Sequence, residues 1–338
     1  MYTIVYGFPE TNNTPEGQSM TRFLTALAAL VFAGAAAAQG DFPNRTITLL
    51  VGFAPGGASD TAARIFAKKL TENLGQTVVV ENKPGAGGNI AHQAVAAAPP
   101  DGYTILLGSM GPVCVAPHLI AKLPYDPFKD LAPLTMAVSV PNVLVVPVGA
   151  PAKTLQEYVA LAKAKPGGLD FASTGVGSAS HLAGELLNQR AGIDILHVPY
   201  KGGGPAMADL LGGRVGAYYS THSTAGPHIE AGKLRPLAVT SLKRTVFLPD
   251  IPAISETYPG FVADNWYAFV TSSKVPLAIQ ERWNRELVKV LSAPDVKEAL
   301  AKHYMETMPG TREELAKTIR QEYDMWGRVI KAAKITAN

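Results

Sequence analysis

The sequence predicts an α/β protein of two domains with a ligand cleft between them. Strand-like runs alternate with helical segments from TITLLVGF at residues 46–53 to RPLAVTS at residues 235–241, which is typical of βαβ units with mostly parallel sheets. A chain of 338 residues exceeds the size at which a single core stops growing. The order of strand, glycine-rich turn, small hydroxyl residue and helix also occurs twice, at residues 46–70 and 169–192. Two such units predict two domains, and a cleft between domains is a common ligand site.

The segment MTRFLTALAALVFAGAAAA at residues 20–38 has the pattern of a signal peptide. Arg22 precedes an apolar run, and Ala36 and Ala38 supply the small residues of a cleavage site. We therefore expect cleavage near Ala38 and an exported mature protein that begins at Gln39. The alternative is an uncleaved membrane anchor, which the shortness of the apolar run disfavours.

Residues 1–19 precede the signal pattern and do not belong to it. They are polar, and Glu10 and Glu16 conflict with the positive charge that normally precedes the apolar run of a signal peptide. We expect translation to start at Met20, so that residues 1–19 are a non-native extension.

Composition and charge argue against several classes of function. The net charge of +3 and the lack of a dense Lys/Arg run argue against nucleic-acid binding. The single cysteine, Cys114, cannot form an internal disulfide. The seven histidines show neither His-x-x-His nor His-Glu-x-x-His spacing, so we expect no metal site. The segments at residues 85–90 and 226–234 deviate from the dinucleotide-binding and P-loop patterns, so we expect no phosphate-bearing cofactor.

Helix boundaries are marked by capping patterns. Thr154 with Glu157, and Thr311 with Glu314, have the spacing of a capping box. Apolar residues recur every three or four positions over residues 315–330, which predicts one buried face of a C-terminal helix.

The turn at residues 55–60 is suited to bind an anion. Gly56 and Gly57 leave the backbone accessible, Ser59 is a candidate N-cap, and Asp60 follows in the first turn of a helix. The first N–H groups of a helix lack internal partners and lie at the positive end of its dipole. The alternative is an ordinary capped turn. We expect Asp60 to organise the loop, because its carboxylate would repel an acidic solute.

The segment STGVGSASH at residues 173–181 has a similar pattern. Its glycines and hydroxyl residues could bind a ligand or cap the following helix. An enzymatic interpretation would make Ser178 the nucleophile and His181 its base. The sequence shows no third, orienting group for this pair and no G-x-S-x-G pattern, so hydrolysis is the less favoured alternative.

Two further glycine-rich loops precede predicted helices. In NKPGAGGNIAHQAV, three glycines lead to Asn89. In VPYKGGGPAMADLLGG, Lys201 precedes Pro205, which is expected at the first position of a helix. Lys201 could bind an anion, although an exposed lysine without such a role is the more common case.

Several long blocks resemble the Bug/TctC family, the periplasmic solute-binding receptors of tripartite tricarboxylate transporters. Among them are PGGASD, ENKPGAGGNIA, PDGYTILLGS, FASTGVGSASHLAGELL and HVPYKGGGPAMADLLGGRV. The resemblance covers essentially the whole mature chain and implies a two-domain periplasmic-binding-protein (Venus flytrap) fold with crossover strands. We expect residues 41–142 plus 266–338 to form domain I and residues 143–265 to form domain II. Trp266 is expected at or beside a crossover.

The resemblance also implies a receptor and not an enzyme. A small carboxylate, such as a di- or tricarboxylate, an acidic amino acid or an aromatic acid, would bind between the domains for uptake through integral-membrane transporter subunits. A receptor that presents its ligand to a membrane sensor is one alternative, and a Ser178/His181 hydrolase is a less favoured one. We expect a monomer that binds no nucleic acid, metal or cofactor.

In this family, backbone amides and ordered waters from loops of both domains hold the carboxylate of the ligand. By position, the resemblance implies these ligand-binding residues: Phe53, Pro55, Gly56, Gly57, Ala58, Ser59, Asp60, Ala86, Gly87, Gly88, Asn89, Ser109, Ser173, Thr174, Gly175, Gly177, Ser178 and His181. It implies no catalytic residue.

Three segments depart from the family pattern. His92 follows Ala91 where relatives carry a glycine and another small residue, which would alter the floor of the site. FVTSSKVPLAI at residues 269–279 replaces a Pro-Ala-Gly-Thr-Pro type of segment and would change the hinge. Three residues after a first-domain loop are expected to favour a more apolar ligand: Met110, Val113 and Cys114.

Overall fold

The computed structural model describes residues 42–333 and 335–336. The predicted signal peptide at residues 20–38 and the predicted extension at residues 1–19 lie outside these residues. From Arg45 onward the described chain belongs to one compact unit, in which strands and helices form two lobes, each on its own sheet.

Strands and helices alternate along the chain, which confirms the α/β class. In chain order, the strands are β1 (Ile47–Val51), β2 (Val78–Asn82), β3 (Thr104–Ser109), β4 (Leu131–Ser139), β5 (Asn142–Pro147), β6 (Asp170–Ser173), β7 (Leu196–Pro199), β8 (Tyr218–Thr221), β9 (Leu234–Val239), β10 (Trp266–Ser272) and β11 (Glu306–Thr307). The helices are α1 (Ala58–Leu74), α2 (Asn89–Ala96), α3 (Ala116–Leu119), α4 (Leu155–Ala164), α5 (Ala179–Ala191), α6 (Gly203–Leu211), α7 (His222–Glu230), α8 (Leu277–Ser292), α9 (Pro294–Ala301) and α10 (Arg312–Ala333). Within the described residues, none of these helices is both long and apolar enough to cross a membrane.

Lobe I is the body built on the sheet with the spatial order β11-β4-β10-β3-β1-β2. Strands β1, β2 and β3 are parallel, whereas β10 runs antiparallel to both β3 and β4. The Leu- and Ile-rich strands β1 and β3 are buried along most of their length because helices cover the sheet. Helix α1 packs on β1 and β2, α2 packs on β3, and α8 and α10 pack on β4.

Helix α10 illustrates how a local pattern produces a packed element. The amide of Glu314 donates to Thr311 Oγ1 at 3.1 Å, and the amide of Thr311 donates to the Glu314 carboxylate at 2.7 Å, so the predicted capping box forms. Leu315, Ile319 and Trp326 are buried on one face, as the apolar spacing predicts.

Lobe II is the body built on the sheet with the spatial order β7-β6-β8-β5-β9. Strand β6 is parallel to β7 and β8, whereas β5 is antiparallel to β8 and β9. Helices α5, α6 and α7 pack against this sheet. Helix α4 is capped by Thr154, whose Oγ1 accepts a hydrogen bond from the Glu157 amide at 3.1 Å.

The connections between the lobes run side by side in the described chain. The chain enters lobe II between β4 and β5 and returns to lobe I between β9 and β10. The amide of Val140 donates to the carbonyl of Asn265 at 2.9 Å, and the amide of Thr240 donates to the carbonyl of Asn142 at 3.0 Å. These bonds join the outgoing and returning segments into a paired crossover.

Trp266 is the first residue of β10 and therefore lies directly after the returning connection. The domain bounds expected from the sequence, residues 41–142 plus 266–338 and residues 143–265, remain predictions.

Candidate ligand-binding site

A cleft lies between the lobes at the carboxyl ends of parallel strands, where open α/β sheets bind ligands. The space between its lining atoms is about 420 Å³, which includes the part open to solvent, and about 20 Å³ of it can hold the centre of a water-sized molecule. Lobe I and the returning connection line it with Phe53, Gly57, Ala58, Ser59, Ser109, Asn265 and Tyr267. Lobe II lines it with Asn142, Thr174, Ser178, Ala179, Ser180, Gly203, Tyr218, Tyr219, Thr221 and Thr224.

Among the described helices, four begin at the wall of this cleft. The N-cap residues Gly57 of α1, Ser178 of α5 and Thr221 of α7 line it, as does Gly203, the first residue of α6. The expectation that Ser59 caps α1 is wrong: the helix already begins at Ala58 after Gly57, which places Ser59 inside its first turn. Each helix N-terminus carries free N–H groups and roughly half a positive charge. None of the described residues that line the cleft is Lys, Arg, Asp or Glu. The wall therefore attracts an anion through oriented backbone dipoles without a formal counter-charge.

Asn142 brings a buried amide to the cleft. Its side chain is 1% exposed, and within the described part of the protein its Nδ2 has no hydrogen-bond partner. Asn142 lies opposite Thr221 in the β5–β8 pair, which places the amide beside the start of α7. A buried donor without an acceptor costs free energy, so an oxygen of a bound solute would complete this site.

The first loop of lobe I is held from behind by Asp60, which is 5% exposed. Its carboxylate accepts hydrogen bonds from the Gly56 amide at 3.2 Å, from Arg64 at 3.0 and 3.1 Å, and from Asn82 Nδ2 at 3.0 Å. Burial acts to raise the pKa of Asp60, but the hydrogen bonds from Arg64, Asn82 and Gly56 outweigh it and lower the pKa. Asn82 Nδ2 also donates to the Phe53 carbonyl at 2.9 Å. The Asp60 carboxylate thus organises the loop, and it does not line the cleft.

The loop between β6 and α5 presents a chain of hydroxyl groups to the cleft. Ser178 Oγ donates to the Gly175 carbonyl at 2.6 Å and accepts from the His181 amide at 3.3 Å. Ser180 Oγ lies 3.0 Å from Ser178 Oγ and accepts from the Thr174 amide at 2.9 Å. The loop is therefore rigidly hydrogen-bonded at the N-terminus of α5.

Two neutral histidines support this loop from lobe II. The Gly177 amide donates to His181 Nδ1 at 3.2 Å, and the His181 and His197 rings lie 4.2 Å apart. His197 Nε2 lies 2.5 Å from Ser173 Oγ. Burial lowers the pKa of His181 to about 3, with a further contribution from His197, and burial lowers the pKa of His197 to about 4. His181 Nδ1 thus serves the Gly177 amide, and Ser178 Oγ donates to a carbonyl, so these two side chains do not form the pair that a hydrolase would need.

The third predicted loop, residues 85–89, contacts the opposite lobe and does not line the cleft. Gly87 has a φ of +65°, and a Cβ built on it would lie 2.2 Å from the Val176 carbonyl oxygen. Tyr125 donates to Asn89 Oδ1 at 2.7 Å, which ties the loop to lobe I. His92 Nδ1 lies 2.9 Å from the Gly88 carbonyl oxygen, so this departure from the family pattern supports the loop from within the core.

The structure brings together seven of the residues that the sequence assigns to ligand binding: Phe53, Gly57, Ala58, Ser59, Ser109, Thr174 and Ser178 line the cleft. The others lie next to it without lining it: Pro55, Gly56, Asp60, Ala86, Gly87, Gly88, Asn89, Ser173, Gly175, Gly177 and His181. All eighteen assignments remain predictions, since no ligand contact tests them. Met110, Val113 and Cys114 are buried outside the lining, so their expected effect on ligand polarity also remains a prediction.

Several residues that line the cleft are not predicted from the sequence, because they lie at strand ends without a glycine-rich motif. They include Asn142 at the start of β5, Asn265 and Tyr267 around the start of β10, and Thr221 and Thr224 around the start of α7. The polar ends of two apolar strands, PNVLVVP and YYST, are the local signals that could have indicated them.

Two α/β lobes, a paired crossover and an anion-suited cleft between them define the class of periplasmic binding proteins. The family model described as "Tripartite tricarboxylate transporter family receptor" matches residues 62–335, and the chain belongs to this family. BugT of Bordetella pertussis is 37% identical over 318 residues, which are 93% of this chain and 98% of BugT. The expected resemblance to the Bug/TctC family is therefore confirmed.

Solved structures of similar sequence share the fold. A Rhodopseudomonas palustris protein solved with adipate has a TM-score of 0.84 and 33% identity, covering 88% of this chain and 99% of that one. MatC from R. palustris, solved with bound malate, has a TM-score of 0.82 and 31% identity, covering 86% of this chain and all of that one. The chain is thus a solute-binding receptor and not an enzyme, and its family implies a periplasmic location.

Proposed function

We propose that the chain binds a small dicarboxylate in the cleft between its lobes and delivers it to a tripartite tricarboxylate transporter. The observation that carries this proposal is the convergence of four helix N-termini on a wall without charged side chains. Oriented N–H groups stabilise a carboxylate without the desolvation cost of burying a formal opposite charge.

The distribution of these helix N-termini over both lobes favours a ligand with two carboxylates over a ligand with one. Helix α1 begins in lobe I, whereas α5, α6 and α7 begin in lobe II. An acid with a carboxylate at each end would use both walls at once and would stabilise the closed arrangement of the lobes. The ligands of the two R. palustris relatives, adipate and malate, are acids of this kind.

The assigned contacts follow from the wall of the cleft. We assign the seven predicted residues that line it to the ligand, together with Asn142, Thr221 and Asn265. The predicted residues behind the wall, such as Asp60 and His181, would shape the loops. Transfer of the solute to the membrane subunits would follow opening of the cleft about the paired crossover.

Export through the signal at residues 20–38, with cleavage near Ala38, completes the proposal. N-terminal sequencing of the protein recovered from the periplasm tests this step, and a first residue other than Gln39 would place the cleavage elsewhere.

Replacement of Ser178 by Asp tests whether the cleft binds an anion. Aspartate is as good an N-cap as serine, so helix α5 should keep its cap, although the new carboxylate cannot donate to the Gly175 carbonyl as Ser178 Oγ does. The charge of the aspartate would repel a bound carboxylate. Thr154→Asp is the matched control, because Thr154 caps α4 outside the lining of the cleft. The experiment measures the melting temperature of each protein with malate, adipate, citrate, glutamate or benzoate after partial unfolding has removed carried-over ligand.

A ligand at about 100 times its Kd should stabilise the wild type and Thr154→Asp by about 2.7 kcal/mol, and Ser178→Asp should show little stabilisation. Equal stabilisation of all three proteins would place the anion elsewhere. Stabilisation by none of the acids would contradict the proposed function.

A further inference from the structure

Tyr304 is a residue of lobe I whose ring lies against lobe II. It is positioned between α9 and β11, and its ring stacks on the imidazole of His222, with centroids 3.9 Å apart and planes 15° apart. The ring of Phe247 contacts it edge-on at 5.8 Å. Tyr304 therefore bridges the lobes through an aromatic cluster that is separate from the ligand cleft.

The contact is close and is held in an unusual backbone conformation. A Cβ built on Gly226 of α7 would lie 2.2 Å from Tyr304 Cε2, so only glycine leaves room for the ring at this point. Tyr304 has a φ of +56°, a left-handed conformation that is disfavoured for aromatic residues. Such a conformation persists only where the surroundings over-determine it, and here the stack on His222 supplies that restraint.

His222 connects this cluster to the ligand site. It is the first residue of α7, and its neighbours Thr221 and Thr224 line the cleft. The His222 amide donates to the Pro141 carbonyl at 3.0 Å, directly before Asn142 at the start of β5. A shift of His222 would therefore move both the N-terminus of α7 and the segment that carries Asn142.

Packing determines where the His222 ring lies. The side chain is 3% exposed, and within the described residues its Nδ1 has no hydrogen-bond partner. Burial lowers the pKa of His222 to about 4, so the ring is neutral at physiological pH. The stacked ring of Tyr304 is thus a principal restraint on its orientation.

We infer that Tyr304 is a positioning residue of the ligand site, which acts through His222 to hold the N-terminus of α7 at the cleft wall. This inference rests on the proposed function, because it concerns the affinity of the same site. The partner of Tyr304 is the opposite lobe of its own chain, so a bound solute is not needed for the contact to form.

Three substitutions distinguish the effect of the Tyr304 ring from the effect of its left-handed backbone conformation. Tyr304→Phe keeps the stack and serves as the matched control. Tyr304→Asn tolerates the left-handed conformation but removes the ring. Gly226→Ala keeps Tyr304 and places a methyl group where its ring lies.

Two measurements then decide the role of Tyr304. The first measurement, made without ligand, compares hydrogen exchange of the amides at residues 222–226 with exchange in the core strand β1. The second measures the affinity for malate and for adipate by calorimetry. Tyr304→Asn and Gly226→Ala should increase exchange at residues 222–226 and weaken binding by about tenfold, whereas Tyr304→Phe should match the wild type.

Unchanged exchange and affinity in Tyr304→Asn would overturn the inference. So would an increase of exchange that is equal in β1, because it would show a general structural role. If the wild type binds neither acid, the proposed function fails for these acids, while the exchange measurement still decides whether Tyr304 holds the start of α7.

Discussion

The backbone amide of Ala54 donates a hydrogen bond of 2.9 Å to the carbonyl oxygen of Lys201, and this bond joins a loop of lobe I to a loop of lobe II. The loops approach so closely that a Cβ built on Gly202 would lie 2.8 Å from the Ala54 nitrogen. The lobes therefore meet backbone to backbone at the edge of the cleft. This arrangement is a closed one, and closure depends on glycines that have no side chain to separate the loops.

Alanine at two of these glycines should hold the cleft open. A Cβ on Gly111 would lie 2.5 Å from the Gly177 carbonyl oxygen, and a Cβ on Gly204 would lie 2.7 Å from the Pro55 carbonyl oxygen. Neither Gly111 nor Gly204 has a positive φ, so alanine fits their backbone conformation.

Gly111→Ala and Gly204→Ala should each weaken carboxylate binding by about 10- to 100-fold, since overpacking costs about 1–3 kcal/mol in the closed state only. Gly149→Ala is the control, because no atom lies within 4 Å of its Cβ position. Calorimetry measures the affinity, and small-angle scattering measures the radius of gyration with ligand. If Gly111→Ala and Gly204→Ala both bind the carboxylate with wild-type affinity, closure of the lobes is not required for binding.

Replacement of Asp60 by Asn should destabilise the first loop of lobe I. The Asp60 carboxylate accepts from Gly56, Arg64 and Asn82, and an amide cannot accept from all of these donors. Loss of these bonds should lower the free energy of unfolding by about 1–3 kcal/mol at pH 7, with most of the loss from the buried donors, because the Arg64 side chain is 57% exposed.

Urea unfolding at pH 7 and below pH 3 checks this prediction. The pKa of Asp60 is lowered by folding, so its stabilisation is present above the ordinary pKa of a carboxyl group and is lost as the pH falls through the lowered value. The difference between Asp60→Asn and the wild type should therefore shrink in acid. Asp295→Asn, at an exposed pair with Lys69, is the control and should have the smaller effect at pH 7.

A fall in pH should lower the stability of lobe II through protonation linked to His181 and His197. Folding lowers their pKa values from 6.5 to about 3 and about 4, so the unfolded chain binds protons first as the pH falls. Stability that is fully present above pH 6.5 is therefore lost progressively, down to about pH 4 for His197 and about pH 3 for His181, by about 1.4 kcal/mol per histidine for each pH unit.

The double variant His181→Asn/His197→Asn removes this titration and retains an acceptor for the Gly177 amide. Urea midpoints measured from pH 7.5 to 4.5 should fall less steeply for the variant than for the wild type. Parallel curves would mean that the two imidazoles do not titrate in this range.

Glu322 should lower the stability of the protein as the pH rises, whereas the two histidines lower it as the pH falls. Burial raises its pKa to about 7 despite two hydrogen bonds of 2.9 Å from Trp266 Nε1, and Asp264 raises it further. A raised carboxyl pKa gives stability that is complete below pH 4.5 and is lost as the pH rises through 7.

Glu322→Gln keeps an acceptor for the Trp266 indole and does not ionise. It should equal the wild type near pH 4 and exceed it by about 3 kcal/mol at pH 8 in urea unfolding followed by tryptophan fluorescence. A variant that is less stable than the wild type at pH 8 would show that the ionised carboxylate is favourable.

Much of the fold follows from local patterns in this sequence. The capping box at Thr311 forms as predicted because a hydroxyl and a carboxyl three residues apart satisfy each other's backbone amides locally. At Thr154 only half of the predicted box forms: the hydroxyl caps the Glu157 amide, whereas the Glu157 carboxylate accepts from the Lys153 amide, one residue before the N-cap. The apolar face of α10 is buried because its spacing matches the helical period.

The residues of the candidate site that lie at glycine-rich turns were predictable from the sequence, whereas those at strand ends were not. Gly57, Ser59 and Ser178 belong to glycine-rich loops that precede helices, and such loops are visible in one short segment. Asn142, Asn265 and Tyr267 lie at or beside the strand ends next to the crossover, and local sequence marks them only weakly, as polar or aromatic residues at the end of an apolar strand.

The sequence by itself determined the alternation of strands and helices, the presence of helices after the glycine-rich loops and the family, because each depends on residues that are near one another in the chain. The first residues of α1 and α6 lie one or two positions before those expected from Ser59 and Pro205. Only the tertiary structure decided which helix ends converge, that Asp60 and His181 lie behind the wall, and that Tyr304 of one lobe stacks on His222 of the other. The physical reason is that these relationships depend on how two sheets, joined by a paired crossover, face each other, and residues far apart in sequence meet only after that packing is complete.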